Sequence, residues 1–465
     1  MLKIYNTKSR KIEEFKPLRD NLVNLYACGM TVYDNAHIGH AKKYIGDDIL
    51  VRVLKHAGYN LKHAMNVTDV GHLVSDEDSG EDKMEKGSRK YNLSVWDVAK
   101  KFEMQFWESM DAVGNLRPNI LMHATDFIKE QIDLIRILED KGYTYKISDG
   151  IYYDTSKFPY YFDLSRQNPN ELKKGARVDF VKGKKNISDF ALWKFSPKNE
   201  KRQMEWESPW GVGFPGWHIE CSAMSMSAFG PTLDIHTGGV DHINIHHTNE
   251  IAQSEAATGK EFVRYWVHHN FLIVEGAKMS KSLGNVFTVA DLVSRGFNAI
   301  NLRYLFLTGH YRAEINFTWE SLRAAQSAYN RLLDEVNKLS FQDVDNKKVN
   351  NKFLSDFENA LYDDLNTAKA VAVMWDLVKS DLEGSEKYKT LKIMDEVLGL
   401  QLFANLREQK EEKIPPNILE LVDKREEYRK NRDFEKADKI RQEIENLGFE
   451  IEDTSKGAKI RKIKI

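Results

Sequence analysis

Residues Leu22–Lys43, LVNLYACGMTVYDNAHIGHAKK, constrain this chain more than any other stretch. The apolar run Leu22–Ala27 has the length of a strand. A bend containing Cys28 and Gly29 follows, and then two histidines, His37 and His40, with Gly39 between them. Ile45, Ile49 and Val53 recur at helical spacing, Gly58 is a stop signal, and Leu61–Val67 reads as the next strand. The stretch is therefore a strand–loop–helix–strand unit with two imidazoles near a helix N-terminus. Unpaired N–H groups and the macrodipole make such a terminus favourable for anionic phosphates. The histidines there offer donors to phosphate oxygens, and Gly39 lets a ligand or another backbone come close.

At 465 residues the chain is expected to hold roughly two to four domains. Its 68 basic and 70 acidic residues give a net charge of −2, which excludes a strongly basic nucleic-acid binder overall but leaves room for local patches. With no run long enough to span a bilayer and no secretory start, the expectation is a soluble, cytoplasmic protein with no membrane partner. Its two cysteines, Cys28 and Cys221, lie far apart, and a disulfide is not expected in that compartment.

The grammar of the chain predicts an α/β fold, a doubly wound parallel sheet split by an insertion and followed by helices. The first half of the sheet domain is expected over 1–116, the insertion over 117–215, the second half over 216–300, a helical bundle over 301–410 and a small C-terminal domain over 411–465. The charged stretch Ser75–Arg89 is expected to be a loop. Tyr145–Tyr153 and Tyr160–Leu164 read as β segments, and Lys173–Lys185 as a basic connection. A single last helix is expected over Asn417–Leu447, ended by Gly448. Five of the final ten residues are Lys or Arg.

A second motif, Gly276-Ala277-Lys278-Met279-Ser280-Lys281-Ser282-Leu283-Gly284-Asn285, follows the apolar run Phe271–Val274. Lys278 and Lys281, flanked by serines and glycines, suit a polyphosphate whose charge shifts as pyrophosphate departs. The pair His37–His40 and Lys278–Ser282 resembles the two signature motifs of the class I aminoacyl-tRNA synthetases, in the same chain order.

The remaining constellation narrows the resemblance. Cys28 sits in YACGMTVYD, Cys221 in PGWHIECSAMS, and His246 and Glu250 in HHTNEIAQS, four apart and so on one helical face. Two thiolates, an imidazole and a carboxylate form a reasonable zinc set. In these contexts the four resemble the zinc site of the cysteinyl-tRNA synthetases. The similarity extends through Asp189–Lys194, Trp206–Gly211, His310–Arg312, Asp363–Thr367 and the terminal Arg432–Asp438.

That resemblance implies activation of L-cysteine by ATP with Mg²⁺ and transfer to tRNA(Cys), one Zn²⁺ per chain selecting the thiol, and a monomer. Serine is nearly isosteric with cysteine, so a pocket that judges size separates them poorly, whereas a metal prefers the thiolate. Four protein ligands suggest a closed structural zinc, which stands as the alternative, and Glu250 is the ligand most able to yield. The resemblance assigns His37, Gly39, His40, Gly238, Gly239, Asp241, Lys278, Ser280 and Lys281 to ATP, with His37, His40, Lys278 and Lys281 catalytic. It assigns Gly29, Thr68, Trp217 and His218 to the amino acid. After Thr68-Asp69 the chain reads Val70-Gly71-His72 where many members have a second acidic pair, so no roles are transferred to Gly71–Arg89. The bundle and C-terminal domain are implied to reach the anticodon, and the tail Lys456–Lys464 either supplies cations to RNA or is a solvated end. The rival readings are an ATP-dependent ligase joining cysteine to a small amine, which would lack the C-terminal third, and a non-enzymatic RNA-binding relative, which would have lost a signature residue.

Overall fold

The computed structural model describes residues 1–71, 82–168, 182–197, 201–280, 283–339, 348–404, 415–431, 433–454 and 457–462. The chain forms two compact units, Met1–Leu402 and Phe403–Ile465.

The first unit is organised on five parallel strands: β1 (Leu22–Ala27), β2 (Asn60–Val67), β3 (Ile120–His123), β4 (Leu233–Gly239) and β5 (Val263–His269). Their order across the sheet is β5-β4-β1-β2-β3. The winding reverses between β4 and β1, and a crevice opens there at the carboxyl ends of the strands. The central strand is apolar almost throughout because both of its faces are covered, and Val23, Leu25, Tyr26 and Ala27 are all buried. Helix α1 (Ile38–His56) returns the chain from β1 to β2 and buries Ile38, Ala41, Ile45, Ile49 and Val53.

The insertion between β3 and β4 carries a four-stranded antiparallel sheet of Thr144–Ile147, Gly150–Tyr153, Phe190–Phe195 and Gly213–Pro215. Helices α2 (Trp217–Phe229) and α3 (His246–Thr258) then flank β4. After β5, strand Leu272–Val274 pairs antiparallel with Ala277–Lys278 and parallel with Ile315–Phe317. Helices α4 (Val289–Ser294), α5 (Ala299–Leu307) and α6 (Trp319–Asn337) follow, and three more complete the unit over Asn351–Tyr362, Thr367–Lys379 and Gly384–Leu398.

Buried cations tie these parts to α1. The fully buried Arg303 of α5 donates to Asp48 of α1, to the carbonyls of Leu398 and Val113, and to Asn115. Lys42 of α1 donates to the carbonyls of Asn270 and Ala313 at 2.6 and 3.1 Å, fixing the base of the hairpin that carries Lys278. Burial lowers the Lys42 pKa to about 8.

Several sequence expectations need correction. Ile120–His123, assigned to the insertion, is the outer strand of the main sheet; its four residues are too few to show a period. Tyr160–Leu164 is not a strand. Turn bonds from Tyr161 to Phe158 and from Asp163 to Tyr160 close it, and Tyr161 and Leu164 are buried in the core instead of alternating on a sheet. The expected loop Ser75–Arg89 holds the start of a helix over Lys83–Tyr91, because Asp82 caps it by accepting from the N–H groups of Met84 and Glu85. The rest of that stretch, up to Glu81, lies outside the described residues, as do 173–181 of the basic connection. The single last helix is two, Pro416–Lys430 and Phe434–Asn446, since Asp433 starts a new helix by capping the N–H of Lys436. In this second unit Ile418, Val422, Ile440, Ile444 and Ile451 form the core. Of the basic tail, Gly457–Lys462 is a strand paired with Phe449–Thr454.

Candidate active site and metal centre

The crevice between β4 and β1 gathers most of the residues singled out in the sequence. Ala27 lies beside Thr237, so Cys28 and Gly238 leave adjacent strands at the same edge. The Cys28 N–H donates to the Thr237 carbonyl.

The histidine motif closes the N-terminus of α1 on itself. His37 is the N-cap, and its Nδ1 accepts from the His40 N–H while the His40 Nδ1 accepts from the His37 N–H. The two rings stack with centroids 3.6 Å apart. This is a capping box built from imidazoles. An Nδ1 that accepts carries no proton, so both rings are neutral, with their proton on Nε2. Burial, reinforced by neighbouring His37, pushes His40 down to about 3, which agrees with a ring that stays neutral. Each histidine thus presents an N–H donor at a helix terminus that already favours anions.

The second signature motif meets the first. A Cβ on Gly39 would lie 2.3 Å from the Met279 Cε and 3.0 Å from the His37 ring. Ile38 donates to the Phe287 carbonyl, and His37 bridges to Thr288, the N-cap of α4. Asn285 shapes the turn, accepting from the Ser280 N–H and donating to the Lys278 carbonyl. Lys278 is exposed on its short strand. Lys281 and Ser282 lie outside the described residues.

Four candidate ligands from three elements converge beside the histidines. Cys28 follows β1, Cys221 lies on α2, and His246 and Glu250 share one face of α3. One donor atom from each lies within 4.8 Å of all the others, and every one of the four residues is buried. Both thiols are free. Glu250 Oε1 stands 3.1 Å from His246 Nε2 yet has no hydrogen-bond partner. Close approach without hydrogen-bond geometry is what donors converging on a common centre show, and it fits a metal ion. Burial raises the Cys28 pKa, and the Cys28 contact together with burial raises that of Cys221. Burial disfavours the Glu250 carboxylate, but His236 and His246 outweigh it and bring the group to about 2. For His246, burial is outweighed by Glu250, which lifts it to about 10. Burial thus favours the protonated form of both thiols, and a metal ion entering the site would displace those protons.

His236 and His247 were not found by sequence reasoning. His236 Nε2 lies 2.9 Å from Glu250 Oε2, and His247 Nε2 lies 3.3 Å from Cys28 Sγ. With Cys28 and Glu250 they form a second converging group of four. The only signal was the adjacent pair His246-His247, since His236 sits in a strand where its partners are remote in sequence.

The residues assigned to the amino acid surround this cluster. Thr68, just beyond β2, donates to the buried Glu220 at 3.0 Å and accepts from Asn66, whose side-chain oxygen accepts from the Gly29 N–H at 2.7 Å. Asn66 and Glu220 were also missed, though each lies within two residues of one that was singled out. A Cβ on Gly29 would fall 1.6 Å from the Asn66 backbone carbonyl, so that position admits only glycine. Trp217 stacks obliquely on His246 at 4.7 Å, and His218 Nδ1 lies 2.9 Å from His246 Nδ1. Gly238 leaves room for the rings of His247 and His242, and Gly239 for the side chain of Asp241.

A parallel sheet with a phosphate-favouring helix cap at its switch point, faced by a lysine-bearing hairpin, is the frame of a nucleotide-activating enzyme. Comparison with known families agrees. The family model of the tRNA synthetases class I (C) catalytic domain matches residues 14–327, and that of the DALR domain matches 356–381. The chain belongs to the class I aminoacyl-tRNA synthetases. The solved methionyl-tRNA synthetase of Mycobacterium tuberculosis bound by methionyl-adenylate shares the fold, with a TM-score of 0.54 at 15% identity, covering 83% of this chain and 91% of that one. "Cysteine--tRNA ligase 1" of Burkholderia lata is 46% identical over 462 residues, 99% of this chain and 96% of its own. The cysteine–tRNA ligase of Treponema denticola is 41% identical over 480 residues, 97% of this chain and 98% of its own. Within the class, the chain is a member of the cysteine–tRNA ligase family. The small-amine ligase reading finds no support in these full-length matches. Among the described residues no helix is long and apolar enough to cross a membrane.

Proposed function

We propose that the chain activates L-cysteine with ATP and Mg²⁺, forming cysteinyl-adenylate and pyrophosphate, and then transfers the cysteinyl group to the 3′ end of tRNA(Cys). We place it in the cytoplasm as a monomer. The observation that carries this reading is the convergence of Cys28, Cys221, His246 and Glu250 beside the His37/His40 helix cap.

Cys28, Cys221, His246 and Glu250 are the residues that would hold Zn²⁺, and the ion when bound would supply a soft Lewis acid that prefers a thiolate to a hydroxyl. Gly29, Thr68, Trp217 and His218 enclose the amino acid and fix its carboxylate toward the α-phosphate. His37 and His40 act as neutral Nε2–H donors to the α-phosphate oxygens as charge gathers on them. Their Nδ1 atoms are engaged by the helix backbone, so no reorganisation precedes the reaction. Gly238, Gly239 and Asp241 hold the adenosine, and Lys278, Ser280 and Lys281 follow the β- and γ-phosphates as pyrophosphate leaves. In the second step a terminal ribose hydroxyl of the tRNA attacks the acyl carbon and AMP departs, so no covalent enzyme intermediate is required.

The test is transfer of labelled cysteine onto total tRNA, run beside cysteine-dependent ATP–pyrophosphate exchange. Both should be positive with serine inert. Exchange without charging of cognate tRNA would overturn the reading.

A further inference from the structure

Lys43 stands one turn beyond His40 on α1, where a lysine would be expected to serve a phosphate. Its contacts point elsewhere. Its Nζ donates to the Cys28 carbonyl and lies 2.7 Å from Asp47 Oδ2, and the side chain is only 13% exposed. Asp47 Oδ1 in turn lies 2.8 Å from Nε2 of His269, the last residue of β5, and these two side chains are buried. Burial disfavours the Asp47 carboxylate, but Lys43 and His269 outweigh it and hold the group well below the usual carboxylate range. A relay of three polar side chains therefore runs from the Cys28 backbone, across α1, to the end of β5.

The fold makes room for this relay. A Cβ on Gly46 would lie 2.3 Å from Nδ1 of His269 and 2.4 Å from its Cε1, so the ring fits only because α1 carries no side chain there. Glycine inside a helix is otherwise unfavourable. At the other end, Cys28 lies just past the paired residues of β1, where the ladder no longer fixes its carbonyl. The Cys28 N–H is held by the Thr237 carbonyl, and the next N–H, that of Gly29, by the Asn66 side chain. Lys43 holds the carbonyl between those two amides. Thr237 and Asn66 belong to β4 and β2, whereas Lys43 belongs to α1, the helix that opens with the His37/His40 cap.

We infer that Lys43 is a positioning residue: buttressed by Asp47 and His269, it fixes the Cys28 bend against α1 and so sets the spacing between Cys28 and the two histidine donors. The inference rests on the proposed metal centre and deepens it. The thiol and the carboxylate of the amino acid are opposite ends of one small molecule. The residues that receive the thiol and those that face the α-phosphate must therefore keep a constant separation for the carboxylate to be aligned. Groups that orient a metal ligand from behind it change metal affinity or activity about 10–100-fold when they are removed.

The experiment uses the full chain. Lys43→Met, Lys43→Arg and the double variant Lys43→Met/Asp47→Asn are compared with wild type for zinc affinity in competition with a chelating dye, for the visible spectrum of the cobalt-substituted protein, for thermal midpoint and for pyrophosphate exchange at saturating zinc. Lys43→Met should weaken zinc binding about tenfold or more and shift the cobalt bands. Its cysteine KM in exchange should rise while its ATP KM holds. Lys43→Arg keeps a charge and a donor and should recover most of the zinc affinity. Lys43→Met leaves the buried Asp47 with His269 alone, so its thermal midpoint should fall. The double variant removes that carboxylate and should regain the midpoint without regaining zinc affinity. Unchanged zinc affinity and cobalt spectrum in Lys43→Met would overturn the inference. So would recovery of zinc affinity in the double variant, which would reduce the relay to a matter of fold stability. A wild-type chain that bound no zinc would overturn the metal-centre reading itself, and the inference with it.

Discussion

Gly39→Ala should separate catalysis from stability. The position lies in the first turn of α1 with an ordinary helical backbone, so glycine is not needed there for its conformational freedom. Alanine is the better helix former by up to about 1 kcal/mol. What glycine supplies is space: the added carbon would lie 2.3 Å from the Met279 methyl carbon and 3.0 Å from the His37 ring. Both contacts are closer than a carbon tolerates. Met279 is the flexible partner, so it should move first and take the Lys278 hairpin with it. Overpacking of this kind costs about 1–3 kcal/mol. Borne by the ATP complex, that cost becomes roughly five- to hundredfold in kcat/KM for ATP in cysteine-dependent pyrophosphate exchange. The thermal midpoint should hold or rise slightly. Met279→Ala in the same chain should recover most of the loss, because it removes the atom that collides. An unaltered exchange rate for Gly39→Ala would refute the steric argument. A loss that Met279→Ala leaves untouched would refute the part that couples the two motifs and would shift the blame to the His37 ring.

Three further outcomes follow from the same geometry. Cys221→Ser should lower bound zinc well below one per chain by atomic absorption, and Cys28→Ser should erode selection of cysteine over serine; full zinc content in the first, or intact selectivity in the second, would refute the metal-centre reading. His40 titrates near 6.5 when unfolded and near 3 here. An unfolded chain therefore takes up a proton that the folded one refuses, so this residue's share of stability is lost as pH falls from 6.5 toward 3. Between about pH 6 and 8, where an ordinary histidine would titrate, the ATP KM should show no inflection traceable to His40, and one that vanished in His40→Asn would contradict its neutral state. Arg303→Met removes a buried guanidinium that serves Asp48, Asn115 and two carbonyls, and should destabilise the first unit by about 3–5 kcal/mol in a thermal melt compared with wild type. A loss below about 1 kcal/mol would mean that the network is redundant.

Local signals made much of this molecule legible. The strand–loop–helix–strand unit showed itself because a central parallel strand must be apolar on both faces, and Leu22–Ala27 is nearly so. His246 and Glu250 could be paired in advance because a helix repeats nearly every four residues. His236 could not, since it reaches Glu250 only after β4 and α3 have packed, and no sequence period encodes that meeting. Ile120–His123 was misassigned for a related reason: a four-residue strand has no visible period, and the alignment beside β2 is what makes it part of the main sheet. Asp82 and Asp433 began helices where a loop and a continuous helix were expected. One Asp82 oxygen satisfied two backbone N–H groups and one Asp433 oxygen a single one, and each outweighed the surrounding run of charge.

The mutual cap of His37 and His40 alters how substitutions at the two positions will add up. Each ring is the hydrogen-bond partner of the other residue's backbone. Removing one side chain leaves an amide unserved and also takes away the ring against which the surviving imidazole stacks. A single replacement therefore impairs both members, and the double replacement has little left to remove. The two single-site penalties, expressed as free energies, should sum to more than the penalty of the double variant, and their sum would overstate what two independent donors contribute.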